Sequence, residues 1–129
     1  MKRALISVYD KEKIEVISSV LAKAGWEIVS TGGTAAHLKD RGIPVTEVSR
    51  ITNFPEILDG RVKTLHPLIF GPVLAKKTAA HQRQLREFNA SKIDLVIINF
   101  YPFAAALEKH ANDLDAMLVN FVIFGRSLV

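Results

Sequence analysis

Cysteine is absent from all 129 positions, which excludes a disulfide framework, a thiolate nucleophile and any zinc site built on sulfur. That suits a reducing compartment. A long apolar run is missing too. The longest, from Ile93 to Leu107, is interrupted by Asp94, Asn99 and Pro102 and falls short of the roughly 20 residues that span a bilayer. Behind the basic start only Ala4 to Val8 is apolar before Asp10 and Lys11, too short for a secretory signal. The expectation is a soluble, cytoplasmic protein that makes no membrane contact. There is also no block of like charge. Seventeen Lys and Arg against 13 Asp and Glu leave a formal charge of +4, with the cations spread along the chain. Aromatic residues do not interleave with them as on a nucleic-acid stacking platform, so no nucleic-acid partner is expected. A small anionic ligand suits that charge equally well. No pair of histidines has metal-binding spacing with a carboxylate, so no metal is expected, and His37, His81 and His110 read as solvated.

What is present is alternation. "RALISV" (3–8) reads as an apolar strand, and the following "KEKIEVISSVLAKAG" sets Ile14, Ile17, Leu21 and Ala24 at helical spacing before Gly25 stops it. "WEIVS" is a second strand, "TGGT" a turn, "AAHLKDRG" a short helix ending at Gly42, and "IPVTEV" a third strand. Residues 49–72 have no clean period and contain Pro55, Gly60, Pro67, Gly71 and Pro72, which predicts an irregular loop with a short strand near Ile69. "HQRQLREFNA" is an amphipathic helix, and "IDLVIINF" is a strand expected to be covered on both faces. Residues 104–118 look helical and "FVIFG" reads as a last strand. The class is α/β, a mostly parallel central sheet flanked by helices, in a single domain large enough to bury its own core.

In such sheets ligands lie outside the carboxyl ends of the strands. The first strand ends in Ser7, Val8, Tyr9, Asp10 and Lys11. Asp10 is expected to cap the helix beginning at Lys11, while Lys11 reads either as solvated or as a ligand contact. The second strand ends in "STGGT", whose two glycines let backbone amides close on a phosphate at a helix N-terminus, although a capped glycine turn without ligand has the same letters. "IDLVIINF" leads to Asn99, Tyr101 and Pro102, where the phenol either packs its ring or faces the same cleft. "DGRVKTLHPLIFGP" (59–72) sets Arg61, Lys63, Thr64 and His66 close together. That cluster is either a wet surface loop or a set of groups converging on an anion. In the second case Arg61 forks onto it and Lys63 follows charge as it develops on a reacting oxygen.

Taken in order, "RALISVYDK", "STGGTA", "GIPVTEVS", "FPEILDGRVKTLHP" and "IDLVIINFYPF" resemble the IMP cyclohydrolase domain found at the N-terminus of the bifunctional purine biosynthesis enzyme, AICAR transformylase/IMP cyclohydrolase. The resemblance implies a methylglyoxal synthase-like fold and a homodimer that works without metal or organic cofactor. A transformylase domain would follow in the full-length parent. It also implies the closure of formyl-AICAR to IMP with loss of water, the carboxamide nitrogen attacking the formyl carbon. Both groups belong to one molecule, so holding them in near-attack geometry supplies much of the acceleration. On this resemblance Thr31, Gly32, Gly33 and Thr34 hold the phosphate with Lys11 nearby, Arg61, Lys63 and Thr64 line the ring site, and Asn99 touches the base. Lys63 and Tyr101 are the catalytic residues, and Tyr9, Asp10, Val62, Ile98, Val122 and Ile123 complete the substrate-binding set.

Some letters depart from the family. Leu68, Phe70 and Pro72 replace a lysine, a histidine and a glycine. Val122 stands where the family carries an active-site aspartate, and valine neither accepts a proton nor bonds a carboxamide. Phe124 adds bulk where backbone must approach the ligand. A later family segment with another catalytic lysine has no counterpart, so residues 1–129 read as one nucleotide-binding domain truncated at its C-terminal end. Two readings remain open: a cyclohydrolase, and a noncatalytic purine-nucleotide-binding or dimerisation module that has lost turnover. Methylglyoxal synthase itself is disfavoured, because "NFYPF" offers no carboxylate where that enzyme needs an aspartate.

Overall fold

A computed structural model describes residues 1–58, 60, 62–99, 102, 104 and 108. The expected last strand and the helix expected over 104–118, apart from the helical Ala104 and Glu108, lie outside the described residues.

Strand β1 (Arg3–Ser7) is buried from Ala4 to Ser7, as its unbroken apolar letters require. Helix α1 (Ile14–Lys23) follows, and strand β2 (Glu27–Ser30) returns parallel to β1 with Arg3 opposite Glu27 and Ile6 opposite Ser30. Between them Gly25, at φ 78°, closes α1: its amide donates to Ala22 O and the Trp26 amide to Leu21 O, both at 3.0 Å. Gly42 ends helix α2 (Gly32–Lys39) by the same pair of bonds, to Lys39 O and Leu38 O. Both stops fall where the sequence puts them.

Among the described residues the sheet holds four parallel strands in the order β3-β2-β1-β4, with β3 at Thr46–Glu47 and β4 at Leu95–Ile98. Alternation along β1 divides the core between its faces. Ala4, Ile6 and Val8 pack with Ile14, Ile28 and Leu38 under α1 and α2. Leu5 packs with Val29, Val48, Ile69 and Ile93 on the other face, under the helices described next. The α/β class and parallel sheet expected from alternation are present.

Four local expectations are corrected. The third strand is only two residues long, and Val48, fully buried, already begins helix α3 (Val48–Thr52). No strand forms near Ile69. Instead Pro67–Leu74 is helix α4, started by Pro67 in the first turn and by His66, whose Nδ1 accepts the Leu68 amide at 3.2 Å. Pro72 and Gly71 argue against a helix there, and burial of Ile69 and Pro72 overrides them. Asp10 does not cap α1: its carboxylate accepts the Glu12 amide at 2.9 Å in a turn, and the helix begins later, at Ile14. β4 is only half-buried, with Val96 39% exposed, because it stands at the outer position of the sheet among the described residues.

Helix α5 (Ala79–Glu87) is capped by Thr78, whose hydroxyl accepts the His81 amide. His37 and His81 are not simply solvated. His37 Nε2 meets Glu15 at 3.2 Å, and His81 Nδ1 accepts the Lys76 amide at 3.1 Å. No helix of the described residues is long and apolar enough to cross a membrane.

Candidate functional site

The strand order sets where a ligand would sit. From β1 the chain moves by α1 to β2 and by α2 to β3, whereas β4 lies on the opposite side of β1. The chain leaving β1 thus runs to one side while β4 lies on the other, and a crevice is expected at the carboxyl ends of those two strands. Asn99, directly after β4, reaches across it. Its Oδ1 accepts the Tyr9 amide at 2.6 Å and the Asp10 amide at 3.3 Å, and its Nδ2 donates to Asp10 O at 2.7 Å. One side chain thus holds the β1–α1 loop against the end of β4, 90 residues away in sequence. Tyr9, Asp10, Lys11, Asn99 and Pro102 line an open cleft of about 670 Å³ there.

The β2–α2 turn is the second wall. Ser30 Oγ donates to Ile6 O at 2.6 Å, and the buried Thr34 hydroxyl donates to Val8 O at 3.0 Å and accepts the Val8 amide at 3.2 Å. These bonds fasten the start of α2 to the end of β1. Helix α2 begins at Gly32, so the expected glycine turn is its first turn, and its first-turn amides have no acceptor within the helix. The conformational demand falls on Gly32, at φ 46°. A Cβ on Gly33 would meet Lys11 Cε at 3.6 Å and Nζ at 3.8 Å, so the ammonium crosses the face of the turn. Lys11 Nζ also donates to Tyr9 O at 3.1 Å. Thr31, the N-cap residue, makes no capping bond, and its buried Oγ1 has no hydrogen-bond partner among the described residues.

The third wall is the segment before α4. An antiparallel bridge pairs Ile57 with Val62, and it carries Glu56 onto α2: Glu56 Oε1 accepts the Gly32 amide at 2.6 Å. Helix α2 has no acid of its own in its first turn, so this carboxylate faces the positive end of the helix. Lys63 is half-buried and Thr64 fully buried, just after the bridge.

The candidate residues thus fall into three groups. Tyr9, Asp10, Lys11, Gly33 and Asn99 come together at the crevice, with Thr31 and Gly32 beside them and Ile98 half-buried in β4 opposite Ser7. Thr34 binds backbone, Val62 holds the bridge, and Lys63 and Thr64 follow it. Arg61, Tyr101, Val122 and Ile123 lie outside the described residues. Glu56 and Ser30 were not singled out from sequence. Nothing local marks Glu56, because its partner is 24 residues away. Among the described residues no group of three or more His, Asp or Glu is placed to hold a metal ion.

Comparison with known proteins gives the family and the fold. The family model of the MGS-like domain matches residues 13–126. The bifunctional purine biosynthesis protein PurH of Listeria monocytogenes is 48% identical over 130 residues, covering 100% of this chain and 26% of that protein. PurH of Deinococcus radiodurans is 48% identical over 99% of the chain and 25% of its own length, and that of Dictyostelium discoideum 44% identical over 98% and 24%. The chain therefore spans about a quarter of the length of these curated relatives. Among solved structures, the crystal structure of ForH superposes with a TM-score of 0.71 at 36% identity, covering 78% of this chain and 53% of that one.

Proposed function

This chain belongs to the MGS-like domain family, and on that premise we propose that it seats a purine nucleoside monophosphate at the β1–β4 crevice and acts as an IMP cyclohydrolase. The observation that carries the reading is the meeting of Lys11, the glycine turn and Asn99 at the sheet's switch point, in a chain homologous throughout to part of PurH. The phosphate lies on the first-turn amides of α2 beside the Lys11 ammonium. Asn99, held by the Tyr9 and Asp10 backbone, faces the base. Lys63 and Tyr101 steady the formyl oxygen as the carboxamide nitrogen attacks, and Arg61, Val62, Thr64, Ile98 and Ile123 complete the enclosure. Fixed geometry supplies most of the rate, since the two reacting groups are already in one molecule. The same reading includes a homodimer, a cytoplasmic location and a transformylase domain in the parent protein.

Incubation with formyl-AICAR tests it. IMP should appear faster than by spontaneous closure, and a rate equal to the spontaneous one rejects the enzyme. Val122, at the position of the family's aspartate, favours a second reading: a module that binds the nucleotide without turning it over. Calorimetry with IMP separates the two, because heat of binding without cyclisation assigns the module, and no binding at millimolar IMP removes both.

A further inference from the structure

The strongest anion contact at the α2 N-terminus is made by the protein itself. Glu56 Oε1 lies 2.6 Å from the Gly32 amide nitrogen, a short charge-assisted bond. Its other oxygen, Oε2, stands 3.2 Å from where a Cβ on Gly32 would be and 3.4 Å from the equivalent point on Gly60. Both glycines have positive φ, and neither has a side chain to hold the carboxylate away. Glu56 is exposed one residue before the Ile57–Val62 bridge, and it reaches the first amide of the helix that the orphaned Thr31 hydroxyl precedes.

We propose that Glu56 is an internal competitor for the phosphate position, so that a nucleotide gains the Gly32 amide only when this carboxylate withdraws. The inference rests on the reading of the α2 N-terminus as the phosphate seat. A dianionic phosphate and a carboxylate cannot share one amide without strong like-charge repulsion. Apparent affinity is then the intrinsic affinity reduced by the fraction of molecules with Glu56 withdrawn. Glu56 thereby sets how much ligand is needed to fill the site, and it protects the helix terminus when ligand is scarce. Among anions, those that bind the amide more strongly than a carboxylate does displace Glu56 most effectively.

The test uses Glu56→Gln, which keeps shape and removes charge, and Glu56→Ala, which vacates the amide. Calorimetry with IMP should show both variants binding about two- to fivefold more tightly than wild type, the range expected for one exposed anion at a helix terminus. Thermal melts supply an independent arm. Without phosphate the Ala variant should melt below wild type, and inorganic phosphate should raise its Tm more than that of wild type. Wild-type binding of IMP with equal or weaker binding by both variants overturns the competitor and leaves the nucleotide reading in place. Selective phosphate rescue of Glu56→Ala in a protein that does not bind IMP upholds the competitor and rejects the nucleotide. No binding of IMP by wild type or either variant, together with no selective phosphate rescue, overturns both.

Discussion

Thr34 commits its hydroxyl to one backbone residue, donating to Val8 O and accepting the Val8 amide, in a position only 4% exposed. The family resemblance implies that it holds phosphate, and its hydroxyl joins the two crevice walls while its first-turn amide remains on the proposed phosphate seat. Thr34→Val keeps the volume and strips both bonds from Val8. Such a loss costs about 1–3 kcal/mol, read as a lower urea midpoint with unchanged slope, whereas Thr34→Ser retains most of the stability. A Val variant as stable as wild type would show the clamp to be idle. Lys63 belongs at this scale as well. Lys63→Ala is expected to weaken IMP binding about tenfold or more, the loss of one charged hydrogen bond, and to remove any cyclisation. IMP affinity equal to wild type would place Lys63 outside the nucleotide site.

Among the elements, α4 departs furthest from its letters. Pro67 and His66 start it well, yet Gly71 and Pro72 lie within it, and the helix persists because Ile69 and Pro72 are buried on the sheet. Its glycine is not demanded by the backbone: φ is not positive there, and an added Cβ would meet Leu85 Cδ2 at an ordinary 3.6 Å. Pro72 follows directly, however, and its ring crowds a Cβ on a helical residue before it, so Gly71→Ala should leave the urea midpoint within about 0.5 kcal/mol of wild type, the propensity gain being offset. A gain of a full ~1 kcal/mol would show that the Pro72 ring leaves the Cβ free. Gly32 stands differently. Its φ of 46° and the Glu56 oxygen 3.2 Å from a built Cβ make Gly32→Ala destabilising by about 1–2 kcal/mol. Both elements were partly legible. The glycine pair after β2 announced a helix start, but helical spacing in 67–74 was hidden by two residues that normally break helices.

At the scale of the whole molecule, successive units are tied by carboxylates held below their ordinary values. Glu15 on α1 is lowered by its own backbone hydrogen bond and then by the bond to His37 on α2, Glu47 in β3 by Lys39 of α2, and Asp94 before β4 by Lys92 and the Arg3 amide of β1. The unfolded chain takes up protons on these groups at higher pH than the fold does, starting from 4.5 for the glutamates and 3.8 for the aspartate. Their support for folding is therefore full and constant above those values, and it is lost as pH falls below them toward the lowered values of the folded state. Tm should hold steady above about pH 5.5 and drop progressively below about pH 4.5, and Asp94→Asn should shallow that drop. A flat profile would show the ties to be too solvated to matter. What the sequence determined by itself was local: a buried first strand from Ala4 to Val8, helices stopped at Gly25 and Gly42, and hence an alternating α/β chain with polar residues after its strands. Only the tertiary structure decided that β4 lies on the far side of β1, that Asn99 meets the backbone of Tyr9 and Asp10, and that Glu56 rests on Gly32. Periodicity and capping act over a few neighbouring residues, whereas those three contacts depend on how crossovers and burial bring together segments separated by 24 to 90 residues.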